Sequence, residues 1–163
     1  MKQLYSFALF VSLMSLVGCS NQSPKTIEID EALLLGNLKE ISSDAYEGRG
    51  FSKPGNYKAQ EFIATQFKKL DLAPFLEETY IQKFRYTFKE RRRQRMFPIA
   101  NPDKDFKNVP DTTVVGGNVL AQIKGKKEQI IIITGHLDHL GIRNGKIYNG
   151  ADDDASGTAA LVS

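Results

Sequence analysis

Gln129-Ile130-Ile131-Ile132-Ile133-Thr134-Gly135-His136-Leu137-Asp138-His139-Leu140-Gly141 decides the fold class. Four consecutive isoleucines leave no polar face, which is the pattern of a central strand covered on both sides by helices. His136 and Asp138 follow at once, separated by one residue. In open α/β sheets, ligands gather in the crevice at the carboxyl ends of the strands. If extended backbone continues past Thr134, both side chains project toward one site.

Downstream, Asn149-Gly150-Ala151-Asp152-Asp153-Asp154-Ala155-Ser156-Gly157 brings three adjacent carboxylates, with Asp153 seventeen residues past His136. Such carboxylates repel one another unless cations, hydrogen-bond donors or solvent offset the charge. A helix beginning near Ser156-Gly157-Thr158 supplies donors, but does not account for three acids.

Upstream, Val119, Ala121 and Ile123 alternate in a strand predicted over Asn118–Lys124, after the break at Gly116-Gly117. A charged turn at 125–128 joins it to the isoleucine strand, predicted over Gln129–Thr134. Residues 98–110 read as loop. Over Thr79–Lys89, Tyr80, Phe84, Tyr86 and Phe88 share one face and Lys83, Arg85 and Lys89 the other, a half-exposed strand. Two helices precede it. One spans Ile27–Ser43 with Ile29, Leu33, Leu34, Leu38 and Ile41 on one face and Asp30 and Glu31 in its first turn; the other runs from Pro54 to about Leu70. Glu47-Gly48-Arg49-Gly50 is a turn by its glycines.

Composition agrees with a globular α/β chain. Apolar residues at 41%, charged residues at 25% and 13 glycines exclude collagen-like, coiled-coil and broadly disordered classes. Twenty-two basic against 19 acidic residues leave a net charge of +3, too mild to point to nucleic acid. The run Glu90-Arg91-Arg92-Arg93-Gln94-Arg95 lacks interleaved aromatics; a solvated strand end or insertion accounts for it better than anionic lipid headgroups. The single cysteine excludes an internal disulfide framework.

That cysteine closes an N-terminal leader. Lys2 precedes an uncharged apolar run, Leu4–Val17, too short to span a bilayer, and the run ends on Leu16-Val17-Gly18-Cys19. This resembles the bacterial lipobox, in which the leader is cut before a cysteine that then carries lipid; an ordinary secretory leader containing a cysteine is the alternative. The expected organisation is a signal peptide at 1–18, a lipidated tether at 19–25 and one domain from 26 to 163. The expected location is the bacterial cell envelope, with the exported protein held to the membrane through Cys19.

A His-Asp pair at a strand end can be a surface hydrogen bond, and an acidic triplet can be a turn and helix cap. The acids do not alternate as EF-hand ligands do, and the helix signature His-Glu-x-x-His is absent. Taken together, the apolar strand, His136-x-Asp138 and the acidic turn favour a metal site.

The two segments 135–141 and 149–157 resemble the zinc-binding core of the metallopeptidase family that holds bacterial aminopeptidase S, yeast aminopeptidase Y, glutamate carboxypeptidase and the glutaminyl cyclases. Ser43-Asp44-Ala45-Tyr46-Glu47-Gly48-Arg49-Gly50, with Pro54-Gly55-Asn56 and a helix, is similar to that family's N-terminal segment. The resemblance extends from about Thr26 to Ser163, apart from the arginine-rich stretch, and implies the N-terminal half of a mixed-sheet α/β/α zinc-peptidase domain, truncated. It implies that His136 ligates one zinc, Asp153 bridges two, and Asp138 is the carboxylate that orients His136. His139 matches a common bacterial variant without being a ligand. Two zincs roughly 3.5–4 Å apart would polarise a peptide carbonyl and activate a water, releasing N-terminal residues from peptide substrates. The family's glutamate general base, adjacent glutamate ligand, and later aspartate and histidine ligands have no counterpart here, so the expected activity of this chain is nil. The rival reading is a lipid-anchored binding protein on a decayed peptidase scaffold. An open reading frame beyond Ser163 that supplies the missing residues favours the enzyme; a genuine stop codon with a stable product favours the rival.

Overall fold

Residues 28–76, 78–89 and 111–163 are described by a computed structural model of the chain. The leader, the tether with Cys19 and the arginine run at 91–95 lie outside them. Among the described residues no helix is long and apolar enough to cross a membrane.

Helix α1 is Glu31–Ile41. Asp30 lies just outside it as the N-cap, its carboxylate accepting from the Leu33 amide at 2.9 Å, so the helix starts later than the apolar pattern predicts. Ile29 therefore falls before the helix and is exposed, while Ile41 at the far end is wholly buried. A 3-10 turn, Asp44–Arg49, leads to helix α2, Pro54–Lys69, where Pro54 occupies the first turn without forfeiting an intrahelical bond. Ala59 and Ile63 of this helix are buried, with Phe62 and Phe67 packed beside them. A short helix α3, Ser156–Ala160, closes the core. Ile41 and Tyr46 meet Ala59 and Ile63 of α2, and Ala155 and Val162 on either side of α3. Asn37 of α1 donates to the Val162 carbonyl at 3.1 Å, fastening that end of the chain. The acidic turn is thus anchored in the core through Ala155.

Among the described residues six strands form three antiparallel pairs: β1 (Ala73–Pro74) with β4 (Ala121–Gln122), β2 (Ile81–Phe88) with β3 (Thr112–Val119), and β5 (Gly141–Arg143) with β6 (Lys146–Tyr148). Helices with small antiparallel pairs make the chain α/β, as its sequence pattern predicts. β2 lies where its alternation places it. β3 begins at Thr112 instead of Asn118, and Gly116 and Gly117 run through its interior instead of breaking it. The reason is close packing. A side chain at 116 would meet the rings of Phe84 and Phe51 at 2.6 and 2.7 Å, and one at 117 would meet Gln60 of α2.

The isoleucine run departs most from expectation. Residues 129–134 form no strand with any described neighbour, and Ile130–Ile133 are 75–87% exposed. Burying four consecutive isoleucines requires strands beside them and helices above and below. The described helices are already committed to the core of α1, α2 and α3, and the described strands to one another. The pattern encodes an environment that the described residues do not supply.

Candidate metal centre

The site is assembled by the hairpin β5–β6, which lies in sequence between the His136 segment and the acidic turn. The 3-10 turn packs against this hairpin through Gly48, which has φ of 63°; a side chain there would run into the carbonyl oxygens of Tyr148 and Gly141. Gly50 forms a parallel bridge with His139, and the His139 amide donates to the Arg49 carbonyl at 3.2 Å. Close glycine contacts therefore draw the turn against both functional segments.

His136 is fixed through its main chain. Its amide donates to Asp154 Oδ2 at 3.0 Å, and its carbonyl accepts from Thr158 Oγ1 at 3.0 Å. The other Asp154 oxygen accepts from the Gly157 amide at 3.2 Å, so Asp154 ties the end of the isoleucine segment to α3. Within the acidic turn, a π-helical stretch over Ala151–Ala155, Asp153 and Asp154 leave helical geometry and their shared peptide bond is cis.

The structure brings His136 and Asp153 together: Nε2 stands 3.0 Å from Oδ1. On the ring's other side Nδ1 lies 3.0 Å from the carbonyl oxygen of Asp138, whereas the Asp138 carboxylate is 3.9 Å away. The residue expected to orient His136 is adjacent to it, with its main-chain oxygen as the nearer partner. His139, outside the implied ligand set, sets its Nδ1 3.3 Å from the second Asp153 oxygen, with a largely buried ring. Asp152 is exposed and turns its carbonyl to the Ser156 hydroxyl at 3.3 Å.

A carbonyl oxygen only accepts, so the Nδ1 contact places a proton on Nδ1, and in the neutral ring the Nε2 lone pair then faces Asp153 Oδ1. Two lone-pair atoms 3.0 Å apart repel unless a proton or cation lies between them. An imidazole nitrogen and a carboxylate oxygen this close could both donate to one zinc ion, which takes His and Asp as ligands. The donor set is partial: among the described residues no group of three or more His, Cys, Asp or Glu is arranged to hold a metal ion.

Comparison with known families bears on the same segments. Residues 118–163 match peptidase family M28. The M28 match takes in His136, Asp138, Asp153 and their supporting residues, and it supports the metallopeptidase resemblance read from the two motifs. The M28 enzymes are zinc-dependent hydrolases, so residues 118–163 are similar to part of a zinc metallopeptidase. Residues 28–117 lie outside the match, so the resemblance expected from residue 26 onward is matched over 118–163. No curated protein and no solved structure matches the chain.

Two residues that hold the segments of the site together escaped the sequence reading. Asp154 was legible only as a neighbour of Asp153, because its two amide partners are set by tertiary structure. Arg49 was legible only as part of a turn. Its flanking glycines, Gly48 and Gly50, were the available signal of a close approach by another backbone.

Proposed function

We propose that the site is the metal-binding part of an exported aminopeptidase that uses two zinc ions, Asp153 bridging them and His136 ligating one. The observation carrying this reading is the 3.0 Å approach of His136 Nε2 to Asp153 Oδ1 within the segment that matches M28. His136 is held for the task by the Asp138 carbonyl at Nδ1, and its main chain by Asp154 and Thr158. Bound zinc polarises a carbonyl and lowers the pKa of a coordinated water. The tether at Cys19 holds the domain at the envelope membrane, where peptides are its substrates. The partial donor set favours a second reading, a lipid-anchored binding protein without catalysis.

Hydrolysis of aminoacyl-anilides separates the two. Residues 19–163 alone are expected to show no turnover, because proton abstraction and metal activation each contribute orders of magnitude in rate and the glutamate base and later ligands that the resemblance implies are not among these residues. A version carrying the complete catalytic domain is expected to cleave these substrates, to lose activity to a chelator and regain it with zinc, and to lose essentially all activity on Asp153→Ala. Robust chelator-sensitive turnover by residues 19–163 would overturn the ligand assignment, and an inactive complete domain would favour the binding protein.

A further inference from the structure

Beneath the two loops lies a side chain that zinc chemistry does not use. Arg49 is wholly buried. Its Nε donates to the Leu137 carbonyl at 2.8 Å, Nη1 to the carbonyls of Ile41 and Asn149 at 2.7 and 2.6 Å, and Nη2 to the Gly150 carbonyl at 2.8 Å. These four acceptors belong to three places: the end of α1, the residue after His136, and the residues leading into the acidic turn. A guanidinium is a rigid planar fork, so groups bonded to its different edges are held at fixed relative positions. Lysine, with one compact head on a flexible stem, offers no such frame. The main chain of Arg49 adds to this, its carbonyl accepting from the His139 amide and from Asn56 Nδ2.

Charge points the same way. Burial lowers the Arg49 pKa from its ordinary value, while the carboxylates of Asp138, Asp153 and Asp154 oppose that shift by favouring the cation. Reciprocally, a fixed cation beneath three acids offsets their mutual repulsion.

We propose that Arg49 is the positioning residue of the metal centre: its guanidinium couples the His136 segment to the Asp153 turn and sets both donors in place before metal binds. The metal consequence rests on the zinc reading above; the coupling of the two loops does not.

The test combines hydrogen exchange on the metal-free full chain with titration of zinc alone, for wild type, Arg49→Lys and the comparator Thr158→Val. In wild type the amides of His139 and Ala155, one in each loop, should open with the same free energy. In Arg49→Lys, exchange should rise at least tenfold in both loops together while the amides of α2 stay protected, and zinc affinity should fall about 10–100-fold. Thr158→Val removes the bond to the His136 carbonyl but leaves the Arg49 fork in place, so the two loops should still open with one shared free energy, and loosening confined to one loop would count against the coupling. A purely structural arginine would lower stability without moving zinc affinity. A folded Arg49→Lys with wild-type exchange in either loop, or with unchanged zinc affinity where wild type binds zinc, overturns the proposal. Should wild type take up no zinc, the zinc reading fails and the exchange data still decide the coupling. Should Arg49→Lys fail to fold, unequal opening of His139 and Ala155 in wild type overturns the proposal and equal opening supports it.

Discussion

Tyr46 stands in the core with its hydroxyl donating to Glu40 Oε1 at 3.0 Å. Burial, then the hydrogen bond and negative charge of Glu40, push its pKa up to about 12 from 10.0. A raised folded-state pKa means that the folded protein holds the phenolic proton more tightly than the unfolded chain. The resulting stability is complete below the unfolded value near 10 and is lost as pH rises through about 12. Tyr46→Phe should therefore be less stable than wild type by a constant amount from pH 8 to 9.5, with the gap narrowing above pH 10. Denaturant unfolding across that range checks it; a gap independent of pH up to 12 would count against the assignment. At this scale the sequence was informative where chemistry is local. The His136-x-Asp138 pattern, and the resemblance that selects Asp153 from its acidic triplet, pointed to residues that lie side by side. It was silent on Arg49 and Asp154, whose partners are carbonyls and amides brought from elsewhere by the fold. The Asp138 carboxylate illustrates the limit: the residue is next to His136, yet its carbonyl is nearer the ring.

Among the elements, α1, α2 and β2 were legible because their apolar periods agree with what they bury. Boundaries were less so. Asp30 reads equally as a first-turn acid or a cap, and Gly116-Gly117 reads as a break although it marks close packing against Phe51 and Gln60. The isoleucine run shows how a pattern can describe surroundings that the described residues lack. Ile131 and Ile132 are 87% and 80% exposed, so Ile131→Lys and Ile132→Lys should each change stability by no more than about 0.5 kcal/mol. Both should reduce self-association, since an exposed run of four isoleucines is an apolar patch that another chain can cover. Thermal unfolding and sedimentation of the 163-residue chain measure the two effects. A loss of 2 kcal/mol or more, on the scale of deleting a core side chain, would mean that the run is covered after all.

For the molecule as a whole, the core explains why residues distant in sequence act together. Ile41, Tyr46, Ala59 and Ile63 pack with Ala155 and Val162, so the acidic turn is seated on the same apolar cluster that holds the N-terminal helices. Attachment at the other end is a separate claim, resting on Leu16-Val17-Gly18-Cys19. Cys19→Ala should release the protein from the membrane fraction or leave its leader uncut; unchanged fractionation and mass would contradict a lipid anchor. The central claim concerns His136 and Asp153 as paired zinc donors. Calorimetric titration of zinc into the full chain, Asp153→Ala and Asp152→Ala tests it most directly. The account predicts that Asp153→Ala abolishes the zinc binding seen in wild type, while Asp152→Ala, an exposed neighbour in the same turn, retains it within a few-fold. Wild-type zinc binding by Asp153→Ala, together with its loss in Asp152→Ala, would contradict it.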